Sequence, residues 1–312
     1  MRAGYAVLAT ICFAIARPAS AQHDAPLDCA SRGTGRTTPV VITTTLGETP
    51  AVVRIPPTIS RAPIVLWHGF GPPANEQSLM EALPLDDVPA VKVYLGLPMF
   101  GARALPGGMS ELARRQQQDL ATLVFEPAVM GAAKELPAVV RTLAAHGCLQ
   151  RDGSIGLFGF SAGGAAVLFA LAEREVPIDV AVTLNASTGL SASVSAYERA
   201  TKGSYNWTDA ARRLAQRSDA AGRAKDIVTG NPPPALLIMH GNDDAMLTPE
   251  TASSLHRTLL PLYREANAAQ RLQLTVVPAM AHAWTSTGNV AALRSSIAAW
   301  FHTYLSAAGT PG

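Results

Sequence analysis

One serine stands where a strand must give way to a helix. In Gly159-Phe160-Ser161-Ala162-Gly163 small residues flank the serine, after the apolar run Ser154–Phe160 and before the helical pattern Ala162–Arg174. A sharp strand-to-helix turn holds such a residue in a strained backbone conformation, with its hydroxyl projecting from the strand end. Gly163, Gly164, Ala165 and Ala166 keep the helix start slim, so its free N–H groups face the reacting centre. That is the setting of a nucleophile. The bland reading is a tight turn with an incidental serine. A dinucleotide site does not fit, because Gly156, Gly159 and Gly163 lack the G-x-G-x-x-G spacing.

A serine hydroxyl needs a base, and the base needs a group to orient it. His282 lies in Pro278-Ala279-Met280-Ala281-His282-Ala283-Trp284, just after the last strand-like run, and Asp244 ends His240-Gly241-Asn242-Asp243-Asp244, just after the run before it. Both loops fall at the carboxyl edge of the sheet, the edge that also carries Ser161 and where open α/β sheets bind ligands. The order Ser161, Asp244, His282 suits acyl transfer on such a sheet. Asp243 competes for the acid role, and a loop histidine alone would be a surface residue. His68-Gly69-Phe70-Gly71 follows an earlier strand in the same way, so the N–H groups of Phe70 and Ala162 are the candidate oxyanion donors. A glycine-rich turn with a structural histidine is the alternative there. His68 and His240 read as structural.

Short β-rich runs alternate with helical patterns along the chain. Val40–Thr45 and Ala51–Ile55 read as a hairpin, followed by strands at Pro63–His68 and Ala90–Leu95 and helices at Ser110–Phe125 and Ala128–His146. Further strands are expected at Ile178–Asn185, Ala235–His240 and Leu272–Val277, and helices at Pro249–Ala266 and Asn289–Ser306. The later strands are continuous apolar runs, as a mostly parallel sheet covered on both faces requires. About eight strands result. One segment, Ala186–Pro234, breaks the rhythm: it is polar, carries seven basic residues against four acids, and shows one helical stretch near Asp209–Arg217. It reads as a cap-like excursion over the carboxyl ends of the strands, with too few large apolar residues to be a domain.

The chain has 312 residues, 48% of them hydrophobic and 15% charged, with a formal net charge of +2, which excludes disordered and disulfide-dense classes. Met1–Ala21 resembles a secretory signal peptide, with Arg2 at its start, the apolar run Tyr5–Ala16, and Ala19-Ser20-Ala21 at the cleavage point. Twelve apolar residues rise only about 18 Å as a helix, short of a bilayer core of roughly 30 Å, so no stable membrane anchor is expected after cleavage. Cleavage after Ala21 leaves residues 22–312 as one domain, secreted or periplasmic. It removes Arg2 and Arg17 and no acid, leaving 23 Lys+Arg against 23 Asp+Glu. Nucleic acid thereby loses its compositional support as a partner. Cys29 and Cys148 remain, either paired in an oxidising compartment or as two buried thiols. No H-E-x-x-H or C-x-x-C occurs, and the Asp86-Asp87 and Asp243-Asp244 pairs lack histidine at ligand spacing, so no metal or cofactor is implied. Nothing in the sequence sets an oligomeric state.

From about Val40 to Ser306 the chain resembles the α/β-hydrolase family, on the strength of His68-Gly69-Phe70, Gly159–Gly164, Gly241–Asp244 and His282. Leu97-Pro98-Met99-Phe100-Gly101-Ala102-Arg103 is also similar to the P-x-x-G-x-R loop of many members. The nearest group holds acetyl-xylan esterase-like enzymes and the catalytic domains of prolyl-oligopeptidase relatives, although this chain has no room for the latter's propeller. Dienelactone hydrolases use cysteine where Ser161 stands and haloalkane dehalogenases aspartate, so both are disfavoured. The resemblance implies a serine hydrolase, with carboxylic esters expected as substrates; peptidase or amidase action is the alternative, and a non-catalytic binding protein a remoter one. Ala186–Pro234 would then resemble a cap. Tyr197, Tyr205, Trp207 and Trp284 are candidate pocket residues, unless the cap aromatics only pin the cap to the body. A polar, basic cap suits a small or polymer-linked ester better than an oil–water interface. Asn185-Ala186-Ser187 and Asn206-Trp207-Thr208 match glycosylation acceptors.

Overall fold

The computed structural model describes residues 27–29, 37–286, 288 and 290–308, so the expected leader Met1–Ala21 lies outside the described residues. Eight strands form one sheet: β1 (Val40–Leu46), β2 (Thr49–Ile55), β3 (Arg61–Trp67), β4 (Ala90–Leu95), β5 (Ile155–Phe160), β6 (Ile178–Leu184), β7 (Ala235–Gly241) and β8 (Leu272–Val277). Their spatial order is β1-β2-β4-β3-β5-β6-β7-β8. The β1–β2 hairpin and the β2–β4 pair are antiparallel, and every later pair is parallel.

Strands β3 to β7 are buried on both faces, while the edge strand β8 leaves Gln273 and Val276 exposed, and alternate residues of the inner strands feed two cores. On β3, Val65 and Trp67 join one core, while Ile64 and Leu66 join the other. The first core lies under α2 (Gly108–Leu120), α3 (Gly131–Ala145), α4 (Ala162–Glu173) and α8 (Pro249–Glu265). The second lies under α1 (Glu76–Ala82) and α9 (Val290–Tyr304). Among the described residues no helix is long and apolar enough to cross a membrane.

Three local features depart from the expected elements. The break expected at Glu126-Pro127 is absent: Ala121–Met130 runs on as a wide, π-type helical segment with Pro127 inside it. Pro127 has no N–H to give, so the segment forgoes one helical hydrogen bond at that residue. The chain kinks instead at Asp119 (φ −164°, ψ 97°), whose carboxylate accepts from the N–H groups of Ala121 and Thr122 and so caps the next helical stretch. Helix α1 was also unforeseen; a reciprocal capping box between Asn75 and Ser78 starts it.

The excursion holds three helices rather than one: α5 (Leu190–Thr201), α6 (Asp209–Ser218) and α7 (Ala224–Ile227). Leu190, Val194, Ala211, Leu214, Ala224 and Ile227 are buried in the first core. The segment is therefore built into a helical layer, not stood off from it. Cys29 and Cys148 form a disulfide, and the Cys29 N–H donates to the His146 carbonyl, tying the early segment to the end of α3.

Candidate active site

Ser161 occupies the turn between β5 and α4 with φ 54° and ψ −115°, a conformation rare for any residue with a side chain. The flanking glycines are needed for space. A Cβ on Gly159 would lie 2.2 Å from the Gly163 carbonyl oxygen, and one on Gly163 would lie 2.5 Å from the carbonyl oxygens of Trp67 and His68. The Ser161 backbone is held on both sides: its N–H donates to Leu184 O at 3.0 Å, and its carbonyl accepts from Ser187 N–H at 3.3 Å.

Loops after β7 and β8 bring two side chains to the serine. His282 Nε2 stands 3.0 Å from Ser161 Oγ, and His282 Nδ1 stands 2.8 Å from Asp244 Oδ2. The Asp244 side chain is fully buried, whereas that of His282 retains 13% of its exposure, enough to meet an incoming reactant. Burial alone would raise the Asp244 carboxyl pKa. Hydrogen bonds from His240, His282 and the Leu247 N–H outweigh it and hold the group well below the usual carboxylate range. Asp243 is exposed and bonds Asn242, so Asp244 is the acid that reaches the histidine.

The loop after β3 closes against the serine. A Cβ on Gly69 would lie 2.9 Å from both the Phe160 ring and Ser161 Cβ, so this backbone approaches Ser161 directly. His68 is fully buried and accepts from Leu97 N–H at Nε2 (3.1 Å), which leaves Nδ1 to donate to Gly69 O (2.7 Å). Burial, with a smaller push from Arg103, lowers its pKa to about 4, so the ring is neutral. The Gly69 carbonyl and the Phe70 N–H belong to one planar peptide and point opposite ways. His68 therefore sets the direction of the Phe70 N–H. The Phe70 ring stacks on Phe100 with centroids 4.6 Å apart. Ala162, the other candidate donor, is the first residue of α4, where helical N–H groups lack intrahelical acceptors.

Not every expected residue lies where the sequence reading put it. Trp284 is fully buried in the second core, edge-on to Phe160 at 6.3 Å, so packing is its visible work. Tyr205 donates to Asp119 at 2.6 Å and packs perpendicular to Trp207. With Tyr197, these two rings lie against the first core, which makes pinning the excursion to the body their visible work. Asn185 is wholly buried, so the first glycosylation match does not present an acceptor. Two residues beside the site make contacts that local sequence could not show. His240 Nε2 lies 3.3 Å from the same Asp244 oxygen that faces His282, and 2.5 Å from Leu247 O. Asn185 touches both loops that bear His282 and Asp244; its one sequence signal was an amide at the end of an otherwise apolar strand.

The model of the prolyl oligopeptidase family matches residues 131–308, more than half of the chain, including Ser161, Asp244 and His282. No curated protein matches. Among solved structures, TT1662 from Thermus thermophilus is similar with a TM-score of 0.65 at 18% identity, over 85% of this chain and 97% of that one. A puromycin-hydrolyzing peptidase from Mycobacterium tuberculosis is similar with a TM-score of 0.59 at 16% identity, over 86% of this chain and 39% of that one. Carboxyl esterase 2 from Tuber melanosporum is similar with a TM-score of 0.56 at 17% identity, over 86% of this chain and 88% of that one. At these identities the likeness speaks to the fold, which is that of the α/β-hydrolases.

Proposed function

The chain belongs to the prolyl oligopeptidase family and is a serine hydrolase of the α/β fold; from that premise we propose that it cleaves carboxylic esters, in a secreted or periplasmic setting, through Ser161, His282 and Asp244. The observation that carries the reading is the unbroken chain of contacts from Ser161 Oγ through the His282 ring to Asp244. Ser161 Oγ attacks the ester carbonyl as His282 Nε2 takes its proton. Asp244 keeps the remaining proton on Nδ1 and stabilises the imidazolium, while the N–H groups of Phe70 and Ala162 receive the oxyanion. His282 then protonates the departing alkoxide. Water, deprotonated by the same ring, releases the acid from the acyl-serine.

Two further features support the ester and the compartment. Lys202, Arg212, Arg213 and Arg217 are exposed on the excursion, which suits a water-soluble small or polymer-linked ester. The Cys29–Cys148 disulfide suits an oxidising compartment, as the leader pattern of Met1–Ala21 does. Ser161→Ala is expected to abolish hydrolysis of p-nitrophenyl acetate while the protein stays folded, and a fluorophosphonate probe should add to Ser161 by intact mass. Turnover in that variant would overturn the assignment; a folded wild-type chain that does not label would point to a binding protein. The family itself favours a second reading, peptidase or amidase action on the same residues. Comparing a short ester with the matching aminoacyl amide separates the two, since an amine leaving group demands better-placed acid catalysis.

A further inference from the structure

We infer that Asn185 is a positioning residue that locks the base and acid loops together beneath the nucleophile, an inference that rests on the esterase reading of Ser161, His282 and Asp244. The residue follows the last residue of β6 and is wholly buried. Its amide nitrogen donates to two carbonyl oxygens in the base loop, Ala281 O and His282 O, both at 3.0 Å. Its amide oxygen accepts the Gly241 N–H at 2.8 Å, at the end of β7 and three residues before Asp244. Its own N–H donates to Met239 O at 3.0 Å. One side chain thus joins the ends of β6 and β7 to the loop after β8, and the His282 backbone cannot shift relative to the end of β7 without breaking a buried hydrogen bond.

The same short segment also grips the nucleophile, because Leu184 accepts from the Ser161 N–H and Ser187 donates to the Ser161 carbonyl. Residues 184–187 therefore touch the backbone of the nucleophile and, through the Asn185 amide, the backbone of the loops carrying the other two groups. The residue type is doubly constrained. At φ 45° the backbone is left-handed, which glycine and asparagine tolerate best, and the side chain must offer two donors and an acceptor together. Glycine meets only the first demand. Aspartate supplies the acceptor but would aim a carboxylate at two carbonyl oxygens.

Asn185→Gly tests the amide without straining the backbone. The expected result with p-nitrophenyl acetate is a fall in kcat of about 100-fold with KM changed less than about twofold, because the loss lies in the geometry of the reacting groups and not in substrate contacts. Val182→Ala, which removes packing from the same buried strand, is the matched control. It should lower the melting temperature yet leave kcat unchanged well below it. Asn185→Asp is the second variant: it keeps the acceptor for the Gly241 N–H but loses the amide's two donors, so it should lose kcat similarly with KM again changed little. Asn185→Gly with kcat within threefold of wild type, or a matching kcat loss in Val182→Ala, overturns the proposal. Failure of both Asn185 variants to fold overturns it in favour of a purely structural role. The Ser161→Ala control separates the premise from the inference: turnover there sinks the esterase reading, whereas an inactive Ser161→Ala beside an active Asn185→Gly sinks only the clamp.

Discussion

Ser161 sits in a backbone conformation that costs on the order of 1–3 kcal/mol, held by its hydrogen bonds to residues 184 and 187 and by the glycines on either side. The strain has a use: it projects Oγ toward His282. The neighbouring carboxylates Asp243 and Asp244 show how strongly position outweighs type. Both are aspartates in one loop, but only Asp244 is buried and bonded to the His282 ring. Asp244→Asn should reduce kcat by about 10⁴-fold, because an amide facing Nδ1 favours the wrong imidazole tautomer. Asp243→Asn should stay within a few-fold of wild type. Steady-state kinetics of the two variants with p-nitrophenyl acetate read this out, and equal losses would contradict the assignment of the acid.

At the scale of elements, the strand–turn–helix around Ser161 was fully legible, because small residues on both sides of a serine admit few other local structures. The region before it was not. Pro127 suggested a helix break, yet the break fell at Asp119 and the proline was absorbed in a π-type stretch. Asp119 both caps that stretch and accepts the Tyr205 hydroxyl from the excursion, so one carboxylate couples two elements far apart in sequence. Asp119→Ala should therefore destabilise the protein by about 2 kcal/mol in urea unfolding, more than the ~1 kcal/mol typical of a lost cap alone. Tyr205→Phe should give only the smaller part of that loss. Helix α5 went unseen because it buries only Leu190 and Val194, too thin a stripe to register as a 3.6-residue period.

Across the whole molecule, burial of a neutral histidine ties stability to pH. His68 has a pKa near 6.5 when unfolded and about 4 when folded, so below pH 6.5 the unfolded chain binds a proton that the folded chain refuses. The associated stability is complete above pH 6.5 and is lost as pH falls toward 4. Urea unfolding at pH 7.5 and pH 5.0 should show a loss of about 2 kcal/mol in the wild type that is absent from His68→Gln. An equal loss in both proteins would mean that the ring is not held neutral by its burial. The consequence reaches the site, since this ring orients the peptide that carries the Phe70 N–H.

The sequence by itself determined the alternation of strands and helices, the turn that carries Ser161, and the loops that carry His282 and Asp244, because each is written in local spacing and residue size. Tertiary structure alone decided which aspartate reaches His282, that Trp284 belongs to the core, and that the excursion is welded into a helical layer. It also decided that Asn185, which reads locally as a strand end or a sugar acceptor, joins the ends of two strands to the loop after a third. The physical reason is common to all four. Local pattern records what a residue is and what stands beside it, whereas burial and hydrogen bonding depend on segments that meet only when the sheet is assembled.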